Sequence, residues 1–281
     1  MTATVVDAHH HFWDPGRADY PFLTDDLAAV RRAFGPADLA PLLESAGIDA
    51  TVLVQARSSE DESRELLATA GATPFIRGVV GWVDLTGPDA GDAIARLRDA
   101  PGGDRLVGVR HQADDEPDPD WLARRDVRAG IARVGEAGLP FDLLVRQREL
   151  PAAVETVRAM PDVRFVVDHM AKPPIRDRTL GPWAEQMAAF RSLPNAWCKL
   201  SGLVTEADWR EWQPADLRPY VDHALEVFGP GRLVFGSDWP VCLLATTYEG
   251  WLATARELLA GLSAAERSAI FGGNAVEVYR L

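Results

Sequence analysis

The stretch "VVDAHHHFWDPG", residues 5–16, decides between the two α/β architectures that suit a chain of 281 residues. A short apolar run ends here in three consecutive histidines and a turn. An open doubly wound sheet usually carries a glycine-rich turn after its first strand, and this segment has none. A barrel of alternating strands and helices instead collects polar side chains at the carboxyl ends of its strands. The segment therefore favours a barrel.

Seven further short apolar runs follow, separated by helix candidates that begin with acidic residues or end at glycine. Strands that are apolar on both faces and alternate with helices indicate a parallel sheet covered on its outside. The chain contains no repeat, low-complexity tract or linker that would divide it. We therefore predict an α/β protein with a (β/α)8 TIM-type barrel as a single domain over residues 1–281. The predicted strands are 4–10, 49–55, 75–83, 105–112, 140–146, 163–169, 195–202 and 232–239.

Composition excludes several classes of protein. The 47% hydrophobic content and nine tryptophans supply a large core, and the net charge of −13 without a basic cluster argues against nucleic acid as a partner. No apolar run approaches the roughly 18 residues of a membrane span. Cys198 and Cys242 are too few for a disulfide framework, and no signal peptide is visible. We predict a cytoplasmic protein with a small-molecule ligand, and leave its assembly into homo-oligomers open.

The histidine cluster has a metal-binding pattern. Alternate residues of a strand share a face, so the sequence predicts that Asp7, His9 and His11 point one way and His10 the other. Two imidazoles on one side of a strand end can hold a divalent cation, and Asp7 could orient a ring by accepting its N–H. The alternative is that these are core histidines bonded to neighbouring loops.

Polar residues also end the fourth, sixth, seventh and eighth predicted strands. In a barrel these ends meet at one mouth. Asp238, with Gly236 beside it on the same face, can take a proton from water or bind a metal, or it can brace a loop. The strand-end residues are Arg110, His111, Asp168, His169, Lys199, Ser201, Ser237 and Asp238.

Four ordered motifs resemble the amidohydrolase superfamily, specifically its branch of sugar-acid and dicarboxylate lactonases. They are "VDAHHHFWD", "VVDHMAKP", "CKLSGLVTEADW" and "VFGSDWPVC", and "GVRHQ" and "GGNAVEVYRL" fit the same branch. The resemblance implies hydrolysis by a water activated at Asp238. It also implies that His9 and His11 are the family's His-x-His pair, and that His169 is the sixth-strand histidine. The predicted catalytic residues are thus Asp238, His169, His11 and His9.

The departures from the superfamily pattern limit the metal. Many members carry a bridging Lys or Glu from the fourth strand and a His from the fifth, where this chain has Arg110 and Arg146. We therefore expect either no metal or one divalent ion, zinc before others, held by His9, His11, His169 and Asp238. Without a metal, the same side chains would form a hydrogen-bonding cradle around substrate and water.

The expected reaction is opening of a sugar-acid lactone such as L-fucono- or L-rhamnonolactone by a carboxylic-ester hydrolase. Two rivals share the superfamily architecture, namely a 2-pyrone-4,6-dicarboxylate-type lactonase and a zinc-dependent decarboxylase. A non-catalytic binding barrel is disfavoured because Asp238 and the histidines are present. Glu206 is a candidate second acid or hydroxyl-binding group. The predicted substrate-binding residues are Arg110, His111, Lys172, Lys199 and Trp13.

Overall fold

The eight predicted strands are confirmed. A computed structural model describes residues 4–281, so residues 1–3 of the predicted domain lie outside the described part of the chain. Within that part, eight parallel strands form one sheet in sequential order from β1 to β8. The strands are β1 Val6–His10, β2 Ala50–Val54, β3 Ile76–Gly81, β4 Leu106–Gln112, β5 Phe141–Leu144, β6 Phe165–Val167, β7 Ala196–Leu200 and β8 Leu233–Phe235.

The sheet closes where its first and last strands meet. His10 and Trp239 form a parallel bridge just beyond β8. The backbone N–H of His11 donates to the Trp239 carbonyl at 2.7 Å, and that of Asp238 donates to the His9 carbonyl at 2.8 Å. The predicted (β/α)8 barrel is therefore confirmed, and its closure joins the two strand ends that carry His9, His11 and Asp238.

The first two helices begin at start signals that the sequence carries. Helix α1 starts at Pro36 and stops at Gly47, which adopts the left-handed conformation that favours glycine. Helix α2 is capped by the Ser59 hydroxyl, which accepts from the Glu62 N–H. The helices are α1 Pro36–Ala46, α2 Glu60–Ala72, α3 Ala90–Arg98, α4 Arg125–Glu136, α5 Leu150–Ala159, α6 Trp183–Met187, α7 Leu203–Glu206, α8 Pro214–Phe228, α9 Tyr248–Leu258, α10 Ala264–Ser268 and α11 Asn274–Tyr279.

Two apolar clusters form the core of the described residues. The larger lies between the strands and the helices, and the smaller contains inward-facing residues such as Val6, Val52 and Val234. Tyr279 of the last helix packs into the smaller cluster at the bottom of the barrel. The bottom is therefore filled, and polar chemistry is confined to the carboxyl ends of the strands. Among residues 4–281, no helix combines the length and the apolar character that crossing a membrane requires.

Candidate active site

Three imidazoles surround one carboxylate at the mouth of the barrel. The Asp238 Oδ1 atom lies 3.4 Å from His11 Nε2, 3.8 Å from His9 Nε2 and 3.9 Å from His169 Nε2. All four side chains are at least 93% buried. The structure thus brings together the four residues that the sequence predicts as catalytic, and we call them the imidazole layer.

Strand β1 reaches this layer through an irregularity that the sequence pattern does not show. Its pairing with β2 shifts register between Asp7 and His10, as at a β-bulge. Asp7 consequently accepts from the Tyr248 hydroxyl of helix α9 at 3.0 Å and from the Ser237 N–H at 2.7 Å. The prediction that Asp7 shares a face with His9 and orients a ring is therefore wrong, because the bulge resets the alternation. Asp7 instead supports the backbone of β1 and β8.

The hydrogen-bond partners of His9 and His11 fix which nitrogen of each of these two rings carries a proton. Lys199 Nζ donates to His9 Nδ1 at 3.0 Å, which leaves the His9 proton on Nε2. His9 Nε2 lies 3.0 Å from His11 Nε2, while His11 Nδ1 donates to the Val54 carbonyl at 2.9 Å. The chain of donors therefore runs from Lys199 through His9 to His11. Burial and the charge of Lys199 hold the pKa of His9 well below its ordinary value, so the ring is neutral at pH 7.

Beneath the imidazole layer lies a group of alternating charges that we call the buried cluster. Lys199 Nζ is 2.6 Å from Asp142 Oδ2 and 2.8 Å from Asp168 Oδ1. Arg110 Nη1 donates to Asp168 Oδ2 at 3.0 Å, and its Nη2 donates to the side chain of Gln55 at 2.9 Å. The Tyr279 hydroxyl donates to Asp142 at 2.7 Å from below. Two cations and two carboxylates thus neutralise one another in the barrel interior. The buried cluster consists of Arg110, Asp142, Asp168 and Lys199.

His169 owes its position to an unusual turn after β6. Four consecutive non-glycine residues, His169 to Lys172, have φ between 48° and 56°. The left-handed conformation costs roughly 1–2 kcal/mol per residue. His169 Nδ1 is 2.9 Å from the Ser201 hydroxyl, and a Cβ on Gly202 would lie 2.6 Å from that same nitrogen. Packing against β7 thus holds a backbone that local preference opposes, and Nε2 is left facing Asp238.

Asp238 also sits in the left-handed region, with φ of 55°. The space beside it depends on Gly236, where a Cβ would come within 2.7 Å of His9 Cβ. Burial raises the pKa of Asp238, but the His169 and His11 imidazoles and Lys172 outweigh burial and place that pKa below its ordinary value. The group is therefore a carboxylate at neutral pH, ready to accept a proton.

A cavity of about 380 Å³ opens above the imidazole layer. Trp13, Phe22 and Trp209 provide flat apolar walls, while His11, His169 and Asp238 lie at its floor. Its outer wall carries ion pairs that we call the rim cluster. Lys172 Nζ is 2.6 Å from Asp114 Oδ2, and Arg146 Nη1 is 3.1 Å from Glu206 Oε2. The rim cluster comprises Asp114, Arg146, Lys172 and Glu206.

The predicted substrate-binding residues separate in the structure. Trp13, Arg110 and Lys172 line the cavity, whereas Lys199 is fully buried below it. His111 does not line the cavity. It stacks on Trp121 with ring centroids 4.1 Å apart, accepts from Trp82 Nε1 at 3.0 Å and lies 2.8 Å from Glu116. In this position His111 braces the loop that carries Asp114.

Two acids that sequence reasoning did not single out belong to these arrangements. Asp142 stands between Phe141 and Leu143 inside an apolar strand, and a charged residue in such a run signals an inward-facing partner. Asp114 lies in an acidic loop, "ADDEPDPD" (113–120), whose composition resembles any solvated surface segment. Only the tertiary contact with Lys172 distinguishes Asp114 from its neighbours.

The donor set of the imidazole layer fits one divalent ion. The ligand atoms of His9, His11 and Asp238 all lie within 4.8 Å of one another. The Nδ1 atoms of His11 and His169 are tied to a carbonyl and a hydroxyl, respectively, which leaves Nε2 directed at Asp238. Neutral imidazole and carboxylate suit zinc. A cation bound at His9 would replace the proton that its Nε2 shares with His11.

Comparisons with known proteins identify relatives among the amidohydrolases. A family model described as amidohydrolase matches residues 6–281. A Burkholderia multivorans protein named L-fucono-1,5-lactonase is 40% identical, and the match covers 100% of this chain and 97% of that protein. The crystal structure of a B. multivorans amidohydrolase with bound zinc matches with a TM-score of 0.94 at 39% identity, over 99% of this chain and 100% of that one. The crystal structure of a Pseudomonas putida protein, assigned provisionally as a 2-pyrone-4,6-dicarboxylic acid hydrolase, matches with a TM-score of 0.75 at 26% identity, over 100% and 98% of the two chains.

Proposed function

This chain belongs to the amidohydrolase family, and we propose that it hydrolyses the lactone ring of a sugar acid, with L-fucono-1,5-lactone as the leading substrate. The observation that carries the proposal is the ionised carboxylate of Asp238 among three buried imidazoles at the floor of the cavity. Full-length similarity to a lactonase at 40% identity supports this chemistry more strongly than the 26% identity to the dicarboxylate hydrolase supports its rival.

The reaction needs one base and one acid in succession. In our proposal the Asp238 carboxylate takes a proton from a water molecule as that water adds to the lactone carbonyl carbon. The tetrahedral intermediate carries a negative charge on the former carbonyl oxygen. Its collapse breaks the ring carbon–oxygen bond, and the leaving oxygen takes the proton from the Asp238 carboxylic acid. The products are a hydroxy acid, released as its carboxylate, and a proton released to solvent.

The developing oxyanion needs a positive field. Arg110 and Lys172 both line the cavity, and we propose that they supply this field. Arg110 is not free to bind a substrate carboxylate in the usual bidentate manner, because its two terminal nitrogens already donate to Asp168 and Gln55.

A divalent ion has a defined place in this scheme. His9, His11 and Asp238, with His169 beside them, would hold it. Such an ion lowers the pKa of a bound water and polarises a carbonyl. Zinc is our leading candidate because the donors are imidazole nitrogens and a carboxylate oxygen.

The cavity suits a small ring bearing hydroxyl groups. Trp13 and Trp209 offer flat faces, and their indole N–H groups are already donated to the backbone carbonyls of Val30 and Thr205. The charged groups of the rim are hydrogen-bonding partners for hydroxyls. A substrate analogue that lacks a paired hydroxyl leaves a buried group unsatisfied, at a cost of about 1–3 kcal/mol. Simple unsubstituted lactones should therefore be poor substrates.

A substrate panel tests the proposal. We would compare kcat/KM for L-fucono-1,5-lactone, L-rhamnonolactone and 2-pyrone-4,6-dicarboxylate by acid release, and follow CO2 release from aromatic carboxylic acids. The expected result is hydrolysis of the neutral aldonolactones at least about tenfold more efficiently than hydrolysis of the dicarboxylate, without CO2 release. A preference of tenfold or more for the dicarboxylate would contradict the proposal. Uncatalysed ring opening is subtracted with enzyme-free samples.

A further inference from the structure

The cations that line the cavity are all engaged in ion pairs. Within the described part of the chain, three cations line the cavity, and each is already paired with a carboxylate. Arg110 is bonded to Asp168 of the buried cluster, while Lys172 and Arg146 are paired within the rim cluster. Four carboxylates of the described residues also line the cavity, so this lining carries more negative than positive charge. These four are Asp114, Asp115, Glu206 and Asp238.

Asp114 is the central member of the rim cluster. Its Oδ2 atom lies 2.6 Å from Lys172 Nζ and 3.8 Å from Arg146 Nε, so one carboxylate serves two cations from different loops. The Asp114 side chain is only 6% exposed, although its loop is on the surface. The contacts of His111 with Trp82, Trp121 and Glu116 brace that loop. Asp114 is therefore a fixed part of the cavity wall.

From this arrangement we propose that Asp114 and Glu206 are specificity-determining residues that make the site reject anionic ring substrates. The proposal rests on the proposed lactonase function and names the feature that selects its substrate class. An incoming carboxylate would have to displace Asp114 from Lys172 or Glu206 from Arg146, while facing the remaining acids of the lining at short range. A sugar hydroxyl meets no such obstacle, because it donates to a carboxylate and accepts from a paired ammonium or guanidinium at the same time.

The same charges act on the product. Ring opening converts a neutral cyclic lactone into an open-chain hydroxy acid, which is ionised as its carboxylate at neutral pH. The rim acids that disfavour an anionic substrate therefore also disfavour the retained product, and its release is favoured. Weak product inhibition by the hydroxy acid is the signature of this arrangement.

Isosteric removal of single charges tests the proposal. We would prepare Asp114→Asn, Glu206→Gln and the double variant, with Asp118→Asn as matched control. Asp118 lies on the same loop, is exposed and does not line the cavity, so its loss changes the net charge equally. Three quantities are measured for each protein: kcat/KM for L-fucono-1,5-lactone, kcat/KM for 2-pyrone-4,6-dicarboxylate, and the inhibition constant of the product L-fuconate.

The expected result for Asp114→Asn is a rise of at least about tenfold in the efficiency ratio of dicarboxylate to neutral lactone. We also expect the L-fuconate inhibition constant to fall by a similar factor. Glu206→Gln should act in the same direction, the double variant should exceed either, and Asp118→Asn should leave both quantities within about twofold of wild type. An unchanged ratio and an unchanged inhibition constant in folded Asp114→Asn and Glu206→Gln would overturn the proposal.

Failure of the proposed function gives a different pattern. If wild type hydrolyses no aldonolactone, that function is overturned, and calorimetric titration of wild type and Asp114→Asn with 2-pyrone-4,6-dicarboxylate then decides the rim proposal. Tighter binding by the variant supports exclusion of anions by the rim. Equal binding contradicts it.

Discussion

The barrel contains two charged clusters with the same alternation of cation and carboxylate but with different surroundings. The buried cluster is enclosed by strands, and Lys199, Asp142 and Asp168 are fully buried. In the rim cluster the exposed fraction of the side chains ranges from 6% at Asp114 to 51% at Arg146. Water screens and replaces the rim contacts but cannot reach the interior ones. One pattern of charges can therefore support the fold in one place and adjust selectivity in the other.

The imidazole layer lies between the two clusters, and replacing Asp238 alone should leave the ion pairs of both clusters in place. We expect Asp238→Asn to lower kcat for the aldonolactone by roughly 10²–10⁴-fold, the usual scale of general-base catalysis. The amide keeps the shape of the side chain but cannot take the proton. Stopped-time acid-release assays measure the effect, and an unchanged thermal midpoint confirms that the variant is folded. Turnover close to wild type would exclude Asp238 as the base.

Breaking the buried cluster should damage the fold itself. Lys199→Met leaves Asp142 and Asp168 without their shared cation, and removing one partner of a buried pair costs about 3–5 kcal/mol of unfolding free energy. Urea unfolding measures this loss. The double variant Lys199→Met with Asp142→Asn should recover part of it, because one uncompensated charge is also removed. A loss below about 1 kcal/mol in the single variant would show that water reaches the cluster.

Asp7 shows what burial does to an acid that pairs with no cation among residues 4–281. Burial raises its pKa to about 6 from an ordinary 3.8, although hydrogen bonds from Ser237, His9 and Tyr248 oppose the rise. The resulting stabilisation is complete below pH 3.8 and is lost as the pH rises through about 6. The free energy of unfolding of wild type, measured relative to that of Asp7→Asn, should thus fall by about 2–3 kcal/mol from pH 4 to pH 7. Urea unfolding at several pH values tests this, and a difference independent of pH would contradict the raised pKa.

The rim cluster should tolerate the loss of a charge with little effect on the fold. Arg146→Met removes a half-exposed partner of Glu206, and exposed pairs contribute about 0–1 kcal/mol. Urea unfolding at 0.1 M salt should therefore place the variant within about 1 kcal/mol of wild type. A loss above about 2 kcal/mol would erase the distinction between the two clusters.

The sequence carries most of the information about the barrel and the imidazole layer. Eight apolar runs separated by capped helices identify the strands, and the rule that polar residues gather at strand ends brings His9, His11, His169 and Asp238 together. Both signals are local and repeated along the chain, so errors in the strand limits do not matter. For example, the predicted sixth strand reaches residue 169, whereas β6 ends at Val167.

Other features depend on geometry that local patterns do not contain. The bulge in β1 redirects Asp7, and no residue type in the segment announces it. The left-handed turn at His169 to Lys172 contains no glycine, the residue that usually marks such a conformation. The direction of the His111 side chain, by contrast, is predictable from the sequence. Side chains alternate along a strand, so the residue after the inward-facing Arg110 points away from the barrel axis. The pairing of Lys172 with Asp114 joins residues 58 positions apart and appears only in three dimensions.

The left-handed turn after β6 has a consequence for how this barrel can change its substrate. His169 stands at one end of the turn and Lys172 at the other, so a single backbone segment carries one residue of the imidazole layer and one of the rim. An insertion or substitution that relaxes the turn displaces both side chains. A change in selectivity made through Lys172 would therefore also move His169 and lower the catalytic rate. Asp114, on the loop after β4, modifies the same cation without touching His169. New specificities in barrels of this type should therefore arise mainly from the loop after β4, while the turn after β6 stays fixed.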